Sequence, residues 1–194
     1  FLRKNDPFTN KEDFLKYLDG KIIYFSKDDL PKDFHPTLAG EHNLENIAAV
    51  YSLTKTFGLD EKNILNVLSY FKGIPFRMEL IKVWHGVKIY NDTTATSPEA
   101  SIQAITTFPG CILIAGGMNK GMNYKKYVTI VYKNVKRVYH LEGDSTEEIK
   151  RLMIRQDLIA GTYDDLEKLL SDVKTTIQPG DIVLFSPAAT SFNL

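Results

Sequence analysis

The sequence predicts an α/β protein: a mostly parallel sheet flanked by helices, preceded by a smaller helix-rich segment. Three observations predict it. From about Arg77 onward, strand-like and helix-like stretches alternate. Several of the strand-like stretches, such as Cys111-Ile112-Leu113-Ile114-Ala115, are short unbroken apolar runs, as expected where both faces of a sheet are covered. With 43% hydrophobic and 25% charged residues, the chain has enough apolar surface to bury a core.

The elements follow in order. A first helix is expected near residues 11–18, capped by Thr9 or Asn10, and then a short strand at 22–25. A second helix spans about 44–57, where Leu44, Ile47, Ala48, Val50, Tyr51 and Leu53 approximate a helical period. Gly58 suits the left-handed position that ends it. A third, at 60–71, presents Ile64, Leu65, Val67, Leu68 and Phe71 before Gly73 and Pro75 stop it. Residues 1 to about 76 thus read as the closing segment of one domain, and 77–194 as a second. Strands in the second are expected at 78–84, 87–90, 111–115, 135–140, 158–159 and 182–185. Helices are expected at 98–106, 124–132, 145–153 and 163–175. Strand–helix alternation implies right-handed crossovers.

Composition excludes several functions. Lysine plus arginine and aspartate plus glutamate each number 24, so there is no excess of positive charge for nucleic acid or for a polybasic membrane surface. The single cysteine, Cys111, lies in an apolar run and can form neither an intrachain disulfide nor a thiolate metal cluster. No stretch approaches the roughly 20 apolar residues of a membrane helix, and the expected location is the cytoplasm. A start at Phe1 and an end at Asn193-Leu194, straight after a Ser-Pro-Ala-Ala turn, read as a piece of a longer polypeptide.

In an open parallel sheet, ligands bind beyond the carboxyl ends of the strands. Three loops leave such ends. The first, Asn91-Asp92-Thr93-Thr94-Ala95-Thr96-Ser97, offers an aspartate suited to ribose hydroxyls or a metal, and hydroxyls suited to a carboxylate or phosphate. Helix capping explains Ser97 before Pro98 equally well, but not the whole run. The second, Gly116-Gly117-Met118-Asn119-Lys120-Gly121, combines close backbone approach with a cation. It is not a Walker loop, whose spacing is absent throughout the chain, and a plain glycine turn with a solvated lysine fits it as well. The third, Ser186-Pro187-Ala188-Ala189-Thr190-Ser191-Phe192, leaves room for a ligand or for a tight helix start. His35, His42, His85 and His140 share no metal-ligand spacing, and neither His85 in a hairpin turn nor His140 at a strand end has a catalytic setting.

Taken in order, these pieces resemble the Mur ligase family and, within it, the D-glutamate-adding branch. Gly40-Glu41-His42-Asn43-Leu44-Glu45-Asn46-Ile47-Ala48-Ala49 is similar to the family's G-x-H-N-x-x-N-x-x-A helix start. Gly73-Ile74-Pro75-Phe76-Arg77-Met78-Glu79 is similar to its G-x-x-H-R-x-E junction. The loop at 91–97 resembles N-D-S-K-A-T-N, and 115–120 resembles the G-G-x-x-K loop. Residues 179–192 follow P-G-D-x-V-L-L-S-P-A-x-A-S-x.

The resemblance implies a Rossmann-like C-terminal domain preceded by the helical end of a P-loop-type central domain. It implies an ATP- and Mg2+-dependent ligase that activates a carboxylate as an acyl phosphate for attack by an amine. The substrates would be UDP-N-acetylmuramoyl-L-alanine and D-glutamate, with no nucleic-acid or membrane partner, and the enzyme a monomer. Asn43 and Asn46 would lie by the adenine, and Arg77 and Asp92 by the ribose and phosphates. Thr96, Lys120, Ser191 and the backbone near Phe192 would hold the amino acid's carboxylates, Lys120 also serving as the catalytic cation. A Walker loop would stand upstream in the full-length protein, leaving this piece inactive alone. Three positions depart from the pattern: Phe76 for histidine, Thr94 for lysine and Asn193 for aspartate. A Mur-type or folylpolyglutamate-type ligase using another amino acid, and a non-catalytic binding module, are the alternative readings.

Overall fold

The computed structural model describes residues 1–9 and 11–190. The chain divides into two compact units, residues 1–72 and 73–194. Among the described residues, no helix is long and apolar enough to cross a membrane.

In the first unit, β1 (Leu2–Arg3) pairs in parallel with β2 (Tyr24–Phe25). The helix expected at 11–18 is a single turn, α1 (Glu12–Leu15), with no side-chain cap at Lys11 and no buried residue. Thr9 does not cap it: its amide donates to Asp6 Oδ1 at 3.0 Å in a turn of its own. Asn10 lies outside the described residues. Without a cap or a buried face, the segment has nothing to extend it beyond one turn. The longer helices carry the core. In α2 (Glu41–Thr56) and α3 (Glu61–Tyr70), Ile47, Tyr51, Ile64 and Leu68 are buried together against Leu30, Phe34 and Leu38. Asp60 caps α3 by accepting from the Asn63 amide at 3.0 Å.

The second unit is a six-stranded sheet with helices on both faces. Its strands are β3 (Glu79–Trp84), β4 (Val87–Asn91), β5 (Cys111–Gly116), β6 (Val135–Leu141), β7 (Ile159–Tyr163) and β8 (Ile182–Phe185). Their spatial order is β3-β4-β8-β5-β6-β7, parallel throughout except for the β3–β4 hairpin. The central strand β5 is buried along its whole length, which is why it reads as an unbroken apolar run. On one face Ile105, Leu113, Val128, Ile149 and Leu184 form the larger core with α4 (Pro98–Thr107), α5 (Lys125–Asn134) and α6 (Asp144–Leu152). On the other, Leu169 and Val173 of α7 (Leu166–Thr176) cover Ile112, Ile114, Tyr139 and Val183.

The strand expected at 158–159 is longer and later. Leu158 closes a one-turn 3-10 helix, and β7 runs on through Ala160-Gly161-Thr162-Tyr163. Small and polar residues suffice there because β7 is an edge strand and none of its residues is fully buried. At the opposite edge, β3 leaves Leu80, Ile81 and Val83 exposed. Its pairing with β4 shifts register between Leu80 and Lys82. Beside β3 an apolar cleft of about 380 Å³ opens between the sheet and α7, lined by Trp84, Leu170, Val173, Ile177 and Phe185.

Candidate functional site

The loops leaving β4, β5 and β8 meet at the carboxyl end of the sheet, and backbone hydrogen bonds join them. The Ala188 amide donates to the Ala95 carbonyl at 3.0 Å, linking the third loop to the first. The Gly116 amide donates to the Pro187 carbonyl at 2.9 Å, linking the second to the third. Met118 and Thr190 then form an antiparallel bridge, Met118 N to Thr190 O at 2.7 Å and Thr190 N to Met118 O at 3.2 Å. Lys120 is exposed two residues beyond that bridge. Thr190 is the last residue described, so Ser191 and Phe192 lie outside the described residues.

Most of the hydroxyl run in the first loop is committed to local structure. Asn91 Oδ1 accepts from the Thr93 amide at 3.1 Å and from its hydroxyl at 2.9 Å. The Thr94 hydroxyl donates to the Phe76 carbonyl at 2.9 Å, tying the loop to the residues ahead of β3. Ser97 caps α4 by accepting from the Ala100 amide at 3.3 Å, with Pro98 in the first turn. Thr96 is exposed, at the same end of the sheet as Lys120.

Asp92 is buried, and both carboxylate oxygens are engaged: Oδ1 accepts from the Met78 amide at 3.1 Å and Oδ2 from the Ser186 hydroxyl at 2.7 Å. The Ser186 and Ser101 hydroxyl oxygens are 2.9 Å apart, and Ser101 donates to the Ser186 carbonyl at 3.2 Å. Burial pushes the Asp92 carboxyl above the ordinary range, opposed by the Ser186 and Met78 hydrogen bonds and by the charge of exposed Arg77. The aspartate therefore pins the residues before β3 and the loop after β8 to the end of β4. Asp92→Ala removes the acceptor of the Met78 amide and of the Ser186 hydroxyl, and is expected to cost about 2 kcal/mol of unfolding free energy. Urea denaturation measures it, and a loss below about 0.5 kcal/mol would contradict this anchoring.

The other two predicted nucleotide contacts belong to the first unit. Asn43 and Asn46 lie on one side of the α2 start, three residues apart. The Asn43 side chain donates to the Ala39 carbonyl at 2.7 Å, holding the turn in which Gly40 takes φ 98°. Asn46 is exposed.

Sequence reasoning missed two features of the second unit. Asn119 is a hub between the second loop and α6, through bonds to Asp144 and Glu148. Its partners lie 25 and 29 residues away, so no local pattern announces them. The other feature is His140. It is fully buried near the end of β6, and among the described residues neither ring nitrogen has a hydrogen-bond partner. Burial, with the nearby charge of Lys150, holds its pKa at about 4, against the opposing pull of Glu147. The unfolded chain binds a proton near pH 6.5, where the folded chain does not. The stability that His140 contributes is therefore full above about pH 6.5 and falls as pH drops toward 4, by about 3 kcal/mol in all. Urea midpoints measured from pH 7.5 to 5 should show this slope, and His140→Leu should flatten it. An equal slope in both proteins would exclude His140 as its source.

The Mur ligase, glutamate ligase domain family matches residues 76–189. The UDP-N-acetylmuramoylalanine--D-glutamate ligase of Natranaerobius thermophilus is 36% identical over 184 residues, covering 93% of this chain and 38% of the relative. The enzyme of the same name from Listeria monocytogenes is 32% identical over 178 residues, covering 91% and 39%. The chain thus spans about two fifths of the length of these relatives. Among solved structures, Thermotoga maritima MurF ligase in complex with ADP is 29% identical, with a TM-score of 0.58 over 77% of this chain and 35% of that one. Mycobacterium tuberculosis folylpolyglutamate synthase, also with ADP, shares the fold at 15% identity and a TM-score of 0.62, covering 81% and 40%.

Proposed function

Because the chain belongs to the Mur ligase family, we propose that it is the amino-acid-binding part of an ATP-dependent, amide-forming ligase that adds D-glutamate to UDP-N-acetylmuramoyl-L-alanine in the cytoplasm. In this reading residues 1–76 close the central, nucleotide-binding domain and residues 77–194 form the C-terminal domain. The observation that carries it is the joining of three loops at the carboxyl end of the sheet, with Thr96 and Lys120 exposed there. A dicarboxylic amino acid needs a fixed cation and hydroxyl donors, and charge-assisted hydrogen bonds are the strongest such contacts. Ser191 and the backbone near Phe192, outside the described residues, are assigned to this carboxylate site by the family resemblance alone.

Asn43, Asn46 and Arg77 remain the proposed nucleotide contacts; Asp92, expected among them, has both carboxylate oxygens engaged by the Met78 amide and the Ser186 hydroxyl and is read instead as a brace for the residues before β3. ATP supplies the phosphoryl group that activates the muramoyl carboxylate. The chain's own part is to bind and orient the incoming amine, which is catalysis by proximity and electrostatics. Mg2+ would come with the ATP phosphates, which it binds together with only one or two carboxylates, and no residue of this chain is proposed as its ligand.

The test is phosphate release from ATP by the full-length protein with UDP-N-acetylmuramoyl-L-alanine, with and without D-glutamate. Release that depends on both substrates supports the reading; release with neither or with the nucleotide substrate alone sinks it. Thr94 favours one variant of the same proposal. Its hydroxyl is bound to the Phe76 carbonyl and it brings no second cation, so a different amino acid is the alternative, and the assay should include a panel of them.

A further inference from the structure

The position of a lysine ammonium depends on its backbone, because four rotatable bonds leave the side chain little order of its own. The backbone before Lys120 is held at successive residues. The Gly117 carbonyl accepts from the Ser145 amide at 3.2 Å and from its hydroxyl at 2.5 Å. Met118 is bridged to Thr190. Asn119 is bound on three sides: its amide donates to Asp144 Oδ1 at 2.5 Å, its side-chain Nδ2 donates to Glu148 Oε2 at 2.5 Å, and its Oδ1 accepts from the Met122 amide at 2.9 Å. Asp144 and Glu148 stand four residues apart at the start of α6, and so on one face of it. Lys120 and Gly121 are thus the crest of a bend whose two feet, Asn119 and Met122, are tied to each other, and Asn119 is tied in turn to α6.

We infer that Asn119, braced by Asp144 and Glu148, is a positioning residue that aims Lys120 at the carboxylate of the incoming amino acid. The inference rests on the substrate role proposed above for Lys120. A loop loosened at Asn119 would still present the cation, but scattered over many positions, and binding would weaken while the chemistry of bound substrate stayed the same.

The experiment uses the full-length ligase with the amino-acid substrate varied at saturating ATP and acceptor. N119A should raise the KM for the amino acid about tenfold, leaving kcat and the KM for ATP within about twofold. E148A should behave alike, and E148Q, which keeps an acceptor oxygen opposite Asn119 Nδ2, should restore a KM near that of the wild type. In a K120A background, N119A should add nothing, because the group it aims is gone. If N119A multiplies the defect of K120A, or moves kcat and every KM together with a lowered unfolding midpoint, the residue is merely structural and the inference falls. If K120A itself leaves the KM for the amino acid unchanged, the assignment of Lys120 fails and the inference with it.

Discussion

Gly143→Ala is expected to be more destabilising than any other substitution considered for the second unit, at about 3 kcal/mol or more, because it drives one backbone into another. Gly143 links β6 to α6 at φ 154°. A Cβ there would fall inside the van der Waals envelope of the Gly117 carbonyl oxygen and carbon, which are backbone atoms. That carbonyl cannot swing aside without releasing both of its bonds to Ser145. Gly117 has no room to retreat either, since a Cβ on it would stand 2.6 Å from the Thr190 carbonyl oxygen. The two loops are therefore in backbone contact, and glycine is the residue that permits it. A fall of about 10 °C in the unfolding midpoint is expected. Gly110→Ala provides the comparison. It has a positive φ of 79° but nothing within 4 Å of its Cβ, so strain alone applies and about 1 kcal/mol is expected. Equal losses in the two variants would show that the loop contact is not what Gly143 protects.

Lys120→Ala should produce the largest loss of activity, about a hundredfold in kcat/KM for the amino acid. The substitution removes the cation from a site whose other proposed donors are neutral hydroxyls and backbone amides. Thr96→Val, which removes one neutral donor, should cost about tenfold. Lys120→Arg should not restore the wild-type value, because a planar fork cannot replace a compact ammonium at the same reach. Steady-state kinetics on the full-length ligase, with the amino acid varied, measure all three. A Lys120→Ala enzyme within about threefold of wild type would remove the lysine from the site.

The sheet was legible where burial left a mark on composition. Strands β5 and β8 are buried on both faces and read as apolar runs; α4 announced its start through Ser97 and Pro98. Only the start of edge strand β7 was legible, because Ala160, Gly161 and Thr162 carry no pattern that an edge position demands. The α1 segment was over-read for the opposite reason: helix-forming residues were present but the cap and the buried face were missing. The loops themselves could be located, since turn residues follow strand ends. The duties of their side chains could not. Thr94, Asp92 and Asn119 choose partners 18, 94 and 29 residues away. A run of hydroxyls looks the same in sequence whether it faces a ligand or a neighbouring carbonyl.

The edge strand β3 has a consequence for how the polypeptide survives its own synthesis. A strand that leaves Leu80, Ile81 and Val83 exposed is a template on which a neighbouring chain can polymerise. Two features work against that. The register shift between Leu80 and Lys82 bends the hydrogen-bonding edge, and Lys82 places a charge in the middle of the apolar run. In a crowded cell, where nascent chains meet before they finish folding, one lysine and one irregular pair tilt the competition toward folding rather than aggregation.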